Sequence, residues 1–316
     1  MTKAIEIMLN VFPIILYCSL GMLCRRMKIV NDNAINQLKA MIMKVLFPCF
    51  LFTLFLFMKL EVRHIWVLLL MLLILTLDYL FGVLVNRLPF LRIKVLPLFT
   101  TAFCYAFLGI PLFTLMHGAE NLKDFVLLGI AHEAFVWVVY YVLVNMTYSK
   151  QRFSMDSVKQ VVQSPAMFAI FFSVLLNLLG VGKWLESQWI FYSILQDFAK
   201  VGDIVSPLIL ICIGYSMTLK KEYMPLAVKL IIVRLVITLG VAYAVKPLYN
   251  LLVPVTMITD ASYFTWAILP PIFSMPIMAG SAMDPQEASK VNTATMLYTI
   301  VSLVLFIIYH VVVAVM

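Results

Sequence analysis

The chain is 316 residues long, with 64% hydrophobic and only 12% charged residues, and its mean hydropathy is +1.04. Soluble globular domains carry about 45–50% apolar and about 25% charged residues, so the composition excludes a soluble domain and indicates an integral membrane protein. The net charge of +8 would point to nucleic acid in a soluble chain; here the placement of the charges argues for membrane orientation instead.

Crossing a bilayer takes about 20 apolar residues. Ten such runs follow in chain order, at about 7–24, 35–57, 65–86, 95–116, 124–147, 164–182, 188–217, 225–250, 262–283 and 288–314. The first, in "MTKAIEIMLNVFPIILYCSLGMLC", lacks the basic opening and small-residue cleavage site of a secretory signal and reads as a retained span. The second begins with Lys39 and Lys44, both expected to snorkel to the interface. The third carries Asp78 in "LTLDYLFG", and the fourth is interrupted by "CYAFLGIPLF". The fifth holds His132 and Glu133 in "GIAHEAFVW"; the sequon Asn145-Met146-Thr147 falls at its expected cytoplasmic end and is given no role. The polar stretch 148–163 links the two halves, 1–147 and 164–316. The seventh run is too long for one simple span. Its start, "QWIFYSILQDFAK", reads as an interfacial piece leading into the span near Val201, with Asp197, Lys200 and Asp203 on a solvated turn. Arg234 lies in the eighth run, "LPPIFSMP" breaks the ninth, and Asn292, Thr293 and Thr295 open the tenth.

Thirteen Lys and Arg residues fall in alternate connections, against six on the opposite side. The positive-inside bias therefore predicts a multi-pass protein of the cell (inner) membrane with both termini extracytoplasmic. Five scattered cysteines without CxxC spacing and four ungrouped histidines indicate neither a disulfide framework nor a metal site. No HExxH, GxSxG or paired-aspartate motif occurs, so the reading is a protein that is not an enzyme, with no cofactor and no nucleic-acid partner.

Pro48 and Pro207 stand 159 residues apart, as do Pro111 and Pro270. Both pairs fall in the second and fourth span of each half. Five spans per half is an odd number, so the second half enters the membrane inverted. Proline-interrupted segments at corresponding places in two halves point to a secondary transporter's binding site. Irregular backbone at membrane depth survives only where protein or a water-filled cavity satisfies it. The breaks at "FLGIP" and "LPPIFSMP" are thus expected to meet around one small site, where helix N-termini favour an anion. A packing kink is the alternative for either break alone.

"LKAMIMKVLFPCFLFTLF", "SPAMFAIFFSVLLNLLGV", "VGDIVSPLILICIGYSM" and "SAMDPQEASKVNTATMLYTIVSLV" resemble, in order and spacing, segments of the auxin efflux carrier family, which includes the plant PIN-formed carriers and bacterial malate and malonate permeases. Pro207, Leu208, Leu210, Ile213 and Gly214 carry a step similar to the family's Pro-Leu-x-Leu-x-x-Ile-Gly signature. The resemblance implies an all-α membrane protein of ten transmembrane helices with an inverted five-plus-five repeat and broken, crossing helices 4 and 9. It implies a scaffold of helices 1, 2, 6 and 7, a transport domain of helices 3–5 and 8–10 moving as an elevator, and a homodimer joined through the scaffold. In the fourth span Gly109 and Pro111 match the family pattern, but Cys104 replaces its Asn and Ala106 its first Gly, so a carboxamide donor is missing.

The expected substrate residues at the crossover are Cys104, Gly109, Pro111, Glu133, Pro270, Pro271, Pro276 and Asn292. Glu133 and Asn292 share the 159-residue offset and are expected to flank the site. Ionisable groups at membrane depth are costly and functional by default; for proton coupling or charge pairing these are Glu133, Asp78, His132 and Arg234. Arg234 either snorkels, neutralises Asp78 or attracts the anion. The chain is thus expected to be an elevator-type secondary active transporter of small organic anions, mono- or dicarboxylates, with the proton as co-substrate. A ligand sensor or channel on the same fold is the alternative.

Overall fold

The computed structural model describes residues 2–58, 63–118, 121–148, 165–217, 219–279 and 282–315. The linker 148–163 lies, except for Tyr148, outside them. Among the described residues there is no strand, only one isolated two-residue bridge.

Helix is present in all ten predicted segments. The first five hold α1 (Thr2–Arg26), α2 (Asp32–Leu56, with a π turn at Ile42–Leu46), α3 (Arg63–Val85), α4 (Leu96–Thr101), α5 (Tyr105–His117) and α6. The last, α6, comprises Leu122–Phe135, a π turn Val136–Tyr140 and Tyr141–Tyr148. The rest comprises α7 (Pro165–Leu178), α8 (Val181–Ser187), α9 (Trp189–Ser216), α10 (Met224–Leu252), α11 (Met257–Ile268), α12 (Met275–Ala279) and α13 (Pro285–Val315). Among the described residues six helices are long and apolar enough to cross a membrane, and a seventh if α7 and α8, bent by 78°, count as one. The chain is therefore an all-helical protein with the spans of a membrane protein.

Local chemistry sets several ends. The Asn31 side chain accepts from the Ala34 N–H at 2.8 Å to start α2, and Thr256 and Thr259 form a reciprocal capping box at α11. The Asp284 carboxylate accepts from the N–H groups of Gln286 and Glu287 to open α13. Gly180, at φ 77°, makes the turn between α7 and α8. The Asn177 carboxamide then donates to the carbonyls of Phe55, Leu56 and Met58, closing the end of α2. The seventh segment forms one continuous 28-residue helix, α9, that runs through Val201 without a break. Its first half is helical because nothing in "QWIFYSILQDFAK" stops a helix, and Lys200 pairs with Asp197 one turn away in the open.

Exposed apolar side chains run every three to four residues along the helices: Leu69, Leu73, Leu80 and Leu84 on α3, and Ile300, Val304, Ile308 and Val312 on α13. Their opposite faces are buried. Such continuous apolar stripes suit lipid, not water. Inside, α1, α2, α7 and α9 pack on one another, as do α3, α4, α6, α10, α11 and α13. Between the two groups, α1 and α9 touch α5, and α1 touches α13.

The closest helix contact is α1 on α9. A Cβ on Gly214 would stand 2.0 Å from the Cys18 carbonyl oxygen, and one on Gly21 would stand 2.1 Å from that of Ile211. Glycine lets the backbones touch, the commonest device for pairing helices in lipid. Gly214→Val is expected to push the pair apart and cost about 1–3 kcal/mol, read as a lower melting temperature in detergent. An unchanged melting temperature would mean the contact is not tight.

Candidate functional site

The breaks predicted in the fourth and ninth segments are real, and they meet. Between α4 and α5 the chain is extended at Ala102 (ψ 149°), and between α11 and α12 at Leu269 (ψ 142°). Phe103 and Pro271 form an antiparallel bridge, and the Cys104 N–H donates to the Pro270 carbonyl at 2.7 Å.

The position of the first break differs from expectation. It falls at Ala102–Cys104, ahead of Gly109 and Pro111. Tyr105–Gly109 is a π turn, and Pro111 sits in the first turn of the α-helical stretch Ile110–His117, where its fixed φ suits a helix start. In the second half Pro276, not Pro270, holds that place, as second residue of α12. Pro270 and Pro271 lie in the break itself. The 159-residue offset thus pairs prolines that do different work.

The freed backbone groups are met by side chains from other helices. Arg234, fully buried in α10, donates through Nη1 to the Phe99 carbonyl and through Nη2 to those of Ala102 and Leu269, each at 3.1 Å. It thereby joins the C-terminal ends of α4 and α11, where a cation is favoured. The Tyr140 hydroxyl donates to the Leu98 carbonyl, and the Ser302 hydroxyl to that of Ile268. His132 Nε2 accepts from the Phe103 N–H at 3.0 Å, and its Nδ1 lies 3.4 Å from Glu133 Oε1. Accepting at Nε2 fixes the neutral imidazole with its proton on Nδ1. Arg234 therefore does not snorkel; it holds the two breaks together. Asp78, also fully buried, makes no hydrogen bond through its carboxylate, and the charge of Arg234 acts on it through space without an ion pair.

Beside the bridge lies a cavity of about 310 Å³, at the small end of the roughly 300–1,000 Å³ typical of ligand pockets. Lys39, Cys212 and Ser216 line it from α2 and α9; Phe107, Ser274 and Asn292 line it from α5, the segment entering α12, and α13. Lys39 Nζ donates to Ser216 Oγ at 2.7 Å, and that hydroxyl donates to the Cys212 carbonyl. An ammonium has three donors, so two remain for a ligand.

Of the expected site residues only Asn292 lines this cavity. Cys104, Pro270 and Pro271 are buried in the breaks, Gly109 is wedged against Phe125 and Leu269, and Pro111 is buried in α5. Pro276 is the second residue of α12, and Glu133, beside His132, is not among the residues lining this cavity. Five-residue α12 is too short to concentrate dipole charge at its start, whereas Lys39 brings a full positive charge to the lining. Sequence reading treated Lys39 as a snorkelling end. Its spacing held the signal: Lys39 shares a helix face with buried Ile35 and Ile42, whereas Lys44 lies on the exposed face.

His117 and His310, distant in sequence, meet Nε2 to Nε2 at 2.9 Å. Among the described residues no three metal-binding side chains come together. All five cysteines are free. The chain matches no protein-family model and no curated protein; the likeness to the auxin efflux carriers is the resemblance of the motifs quoted above.

Proposed function

We propose that the protein is a secondary active transporter of small organic anions with the architecture of the auxin efflux carriers: ten spans in an inverted five-plus-five repeat. The observation that carries this reading is the meeting of two broken segments, one from each half, beside a cavity holding a single lysine. Broken segments meeting around a small polar site are the hallmark of such carriers.

In this reading α1, α2, α7 and α9 form a scaffold, and α3–α6 with α10–α13 move as one body. The cavity has a wall from each group, so a sliding movement carries Phe107, Ser274 and Asn292 away from Lys39 and exposes the anion to the other side. The exposed apolar faces of α7 and α9 serve as the homodimer contact. Glu133, beside His132 and close to the bridge, carries the coupled proton.

The test is uptake of labelled malate, malonate, succinate and indole acetate into proteoliposomes, with and without an inward proton gradient. Saturable uptake of at least one anion is expected, raised by the gradient. Glu133→Gln is expected to abolish the gradient's effect while leaving saturable exchange. Gradient-driven uptake that survives Glu133→Gln would remove Glu133 from coupling. Absence of uptake for all four would overturn the carrier reading in favour of a sensor, and flux without saturation would favour a channel.

A further inference from the structure

The cavity beside the bridge is asymmetric in charge. Lys39 is the one charged side chain among its lining residues; Phe107, Phe273 and Met296 form an apolar part, and Ser216, Ser274 and Asn292 are uncharged polar groups. Lys39 is held, not floating. Ser216 anchors one of its donors at 2.7 Å, and Ser216 is itself tied to the Cys212 carbonyl one turn back. Asp32, on its own helix, forms no ion pair with Lys39 and accepts from the Tyr215 hydroxyl at 3.0 Å, though its charge still acts on Lys39 through space. No ion pair joins Lys39 to a carboxylate among the described residues.

One fixed cation satisfies one carboxylate. Two remaining ammonium donors, with the Asn292 carboxamide or the Ser274 hydroxyl for a second contact, meet what a single carboxylate asks. The body of the ligand then lies against Phe107, Phe273 and Met296. A dianion of similar length would press its second carboxylate on that apolar part. There it has neither counter-charge nor a full set of donors, and an unpaired charge withdrawn from water is strongly disfavoured. The volume of about 310 Å³ limits the ligand to a small acid.

We infer that this cavity takes monovalent organic anions with an apolar body, that is monocarboxylates, and that Lys39 sets the choice. The inference narrows the transport reading above by naming its substrate class, yet it concerns binding and is testable without transport.

The experiment compares three five-carbon probes on the purified full chain in detergent: pentanoate, the dianion pentanedioate and the neutral pentanamide. Binding is read from the shift in melting temperature with concentration, for the wild type, Lys39→Gln and Lys39→Arg. Pentanoate is expected to bind at least about tenfold more tightly than either other probe, the size of effect that one charge-assisted contact supplies. Lys39→Gln is expected to bring pentanoate down to the level of pentanamide, and Lys39→Arg to retain most of the preference.

Pentanedioate binding as tightly as pentanoate would overturn the inference, as would a folded Lys39→Gln variant with unchanged selectivity. Binding of none of the three would overturn it as well. Should Lys39→Gln not fold, the wild-type ranking of the three probes decides. Selective pentanoate binding without pentanoate uptake into vesicles would sink the carrier reading and keep the charge selection. Saturable uptake of pentanedioate in preference to pentanoate would do the reverse.

Discussion

Replacing Arg234 by methionine is expected to cost roughly 3–5 kcal/mol, the usual effect of removing one partner from a buried charged cluster. Its guanidinium serves carbonyls from both breaks at once, Phe99 and Ala102 on one side and Leu269 on the other. Each carbonyl left unpaired in a buried site costs about 1–3 kcal/mol, and Asp78 loses a buried counter-charge that acts on it through space. The measurement is the melting temperature and monodispersity of the purified protein in detergent. Arg234→Lys is expected to fall between wild type and Arg234→Met, because an ammonium keeps the charge but cannot fork across three carbonyls. Asp78→Asn added to Arg234→Met is expected to recover part of the loss by removing the stranded carboxylate. Arg234→Met melting like the wild type would mean that the breaks are held by other contacts, such as those of His132, Tyr140 and Ser302.

Tying the two walls of the cavity together is expected to stop transport. Ser216 belongs to α9 and Ser274 to the segment entering α12, and both line the cavity. In a background with Cys24→Ser, Cys49→Ser and Cys212→Ala, the last because Cys212 lines the same cavity, the pair Ser216→Cys and Ser274→Cys would be bridged with a short cleavable thiol reagent. Uptake should drop about tenfold or more, as expected when the gating movement itself is blocked, and return when the bridge is reduced. Each single replacement, whatever its own uptake, should show the same uptake before and after the reagent. Full transport through the bridged protein would show that the walls do not separate, and would turn the reading toward a channel.

The helices were legible in the residues because hydropathy and capping are local. A run such as Arg63–Val85 declares itself by its own side chains, and no neighbour is needed to read it. That the fourth and ninth segments are interrupted was legible too, since proline and glycine mark irregular backbone. Where the interruption falls was not. "FLGIP" looked like the break, yet a π turn absorbs it, and the chain opens instead at Ala102–Cys104, which contains neither glycine nor proline. The chain can open there because Arg234, His132 and Pro270 supply the partners that the freed groups need.

Residues that work through distant partners escaped the sequence for the same reason. Lys39 beside a proline-containing span reads as a surface lysine until Ser216, far along the chain, is seen to receive its ammonium. His117 and His310 carry no shared spacing, and only the folded chain, which brings the two imidazoles together, makes them a pair. By itself the sequence determined that this chain is helical, strongly apolar and interrupted in its fourth and ninth apolar segments, because each of these is a sum over neighbouring residues. The tertiary structure alone decided where the breaks lie, which charges are buried, and which lysine faces the cavity. In an apolar interior every freed carbonyl and amide must find a partner, and those partners come from other helices.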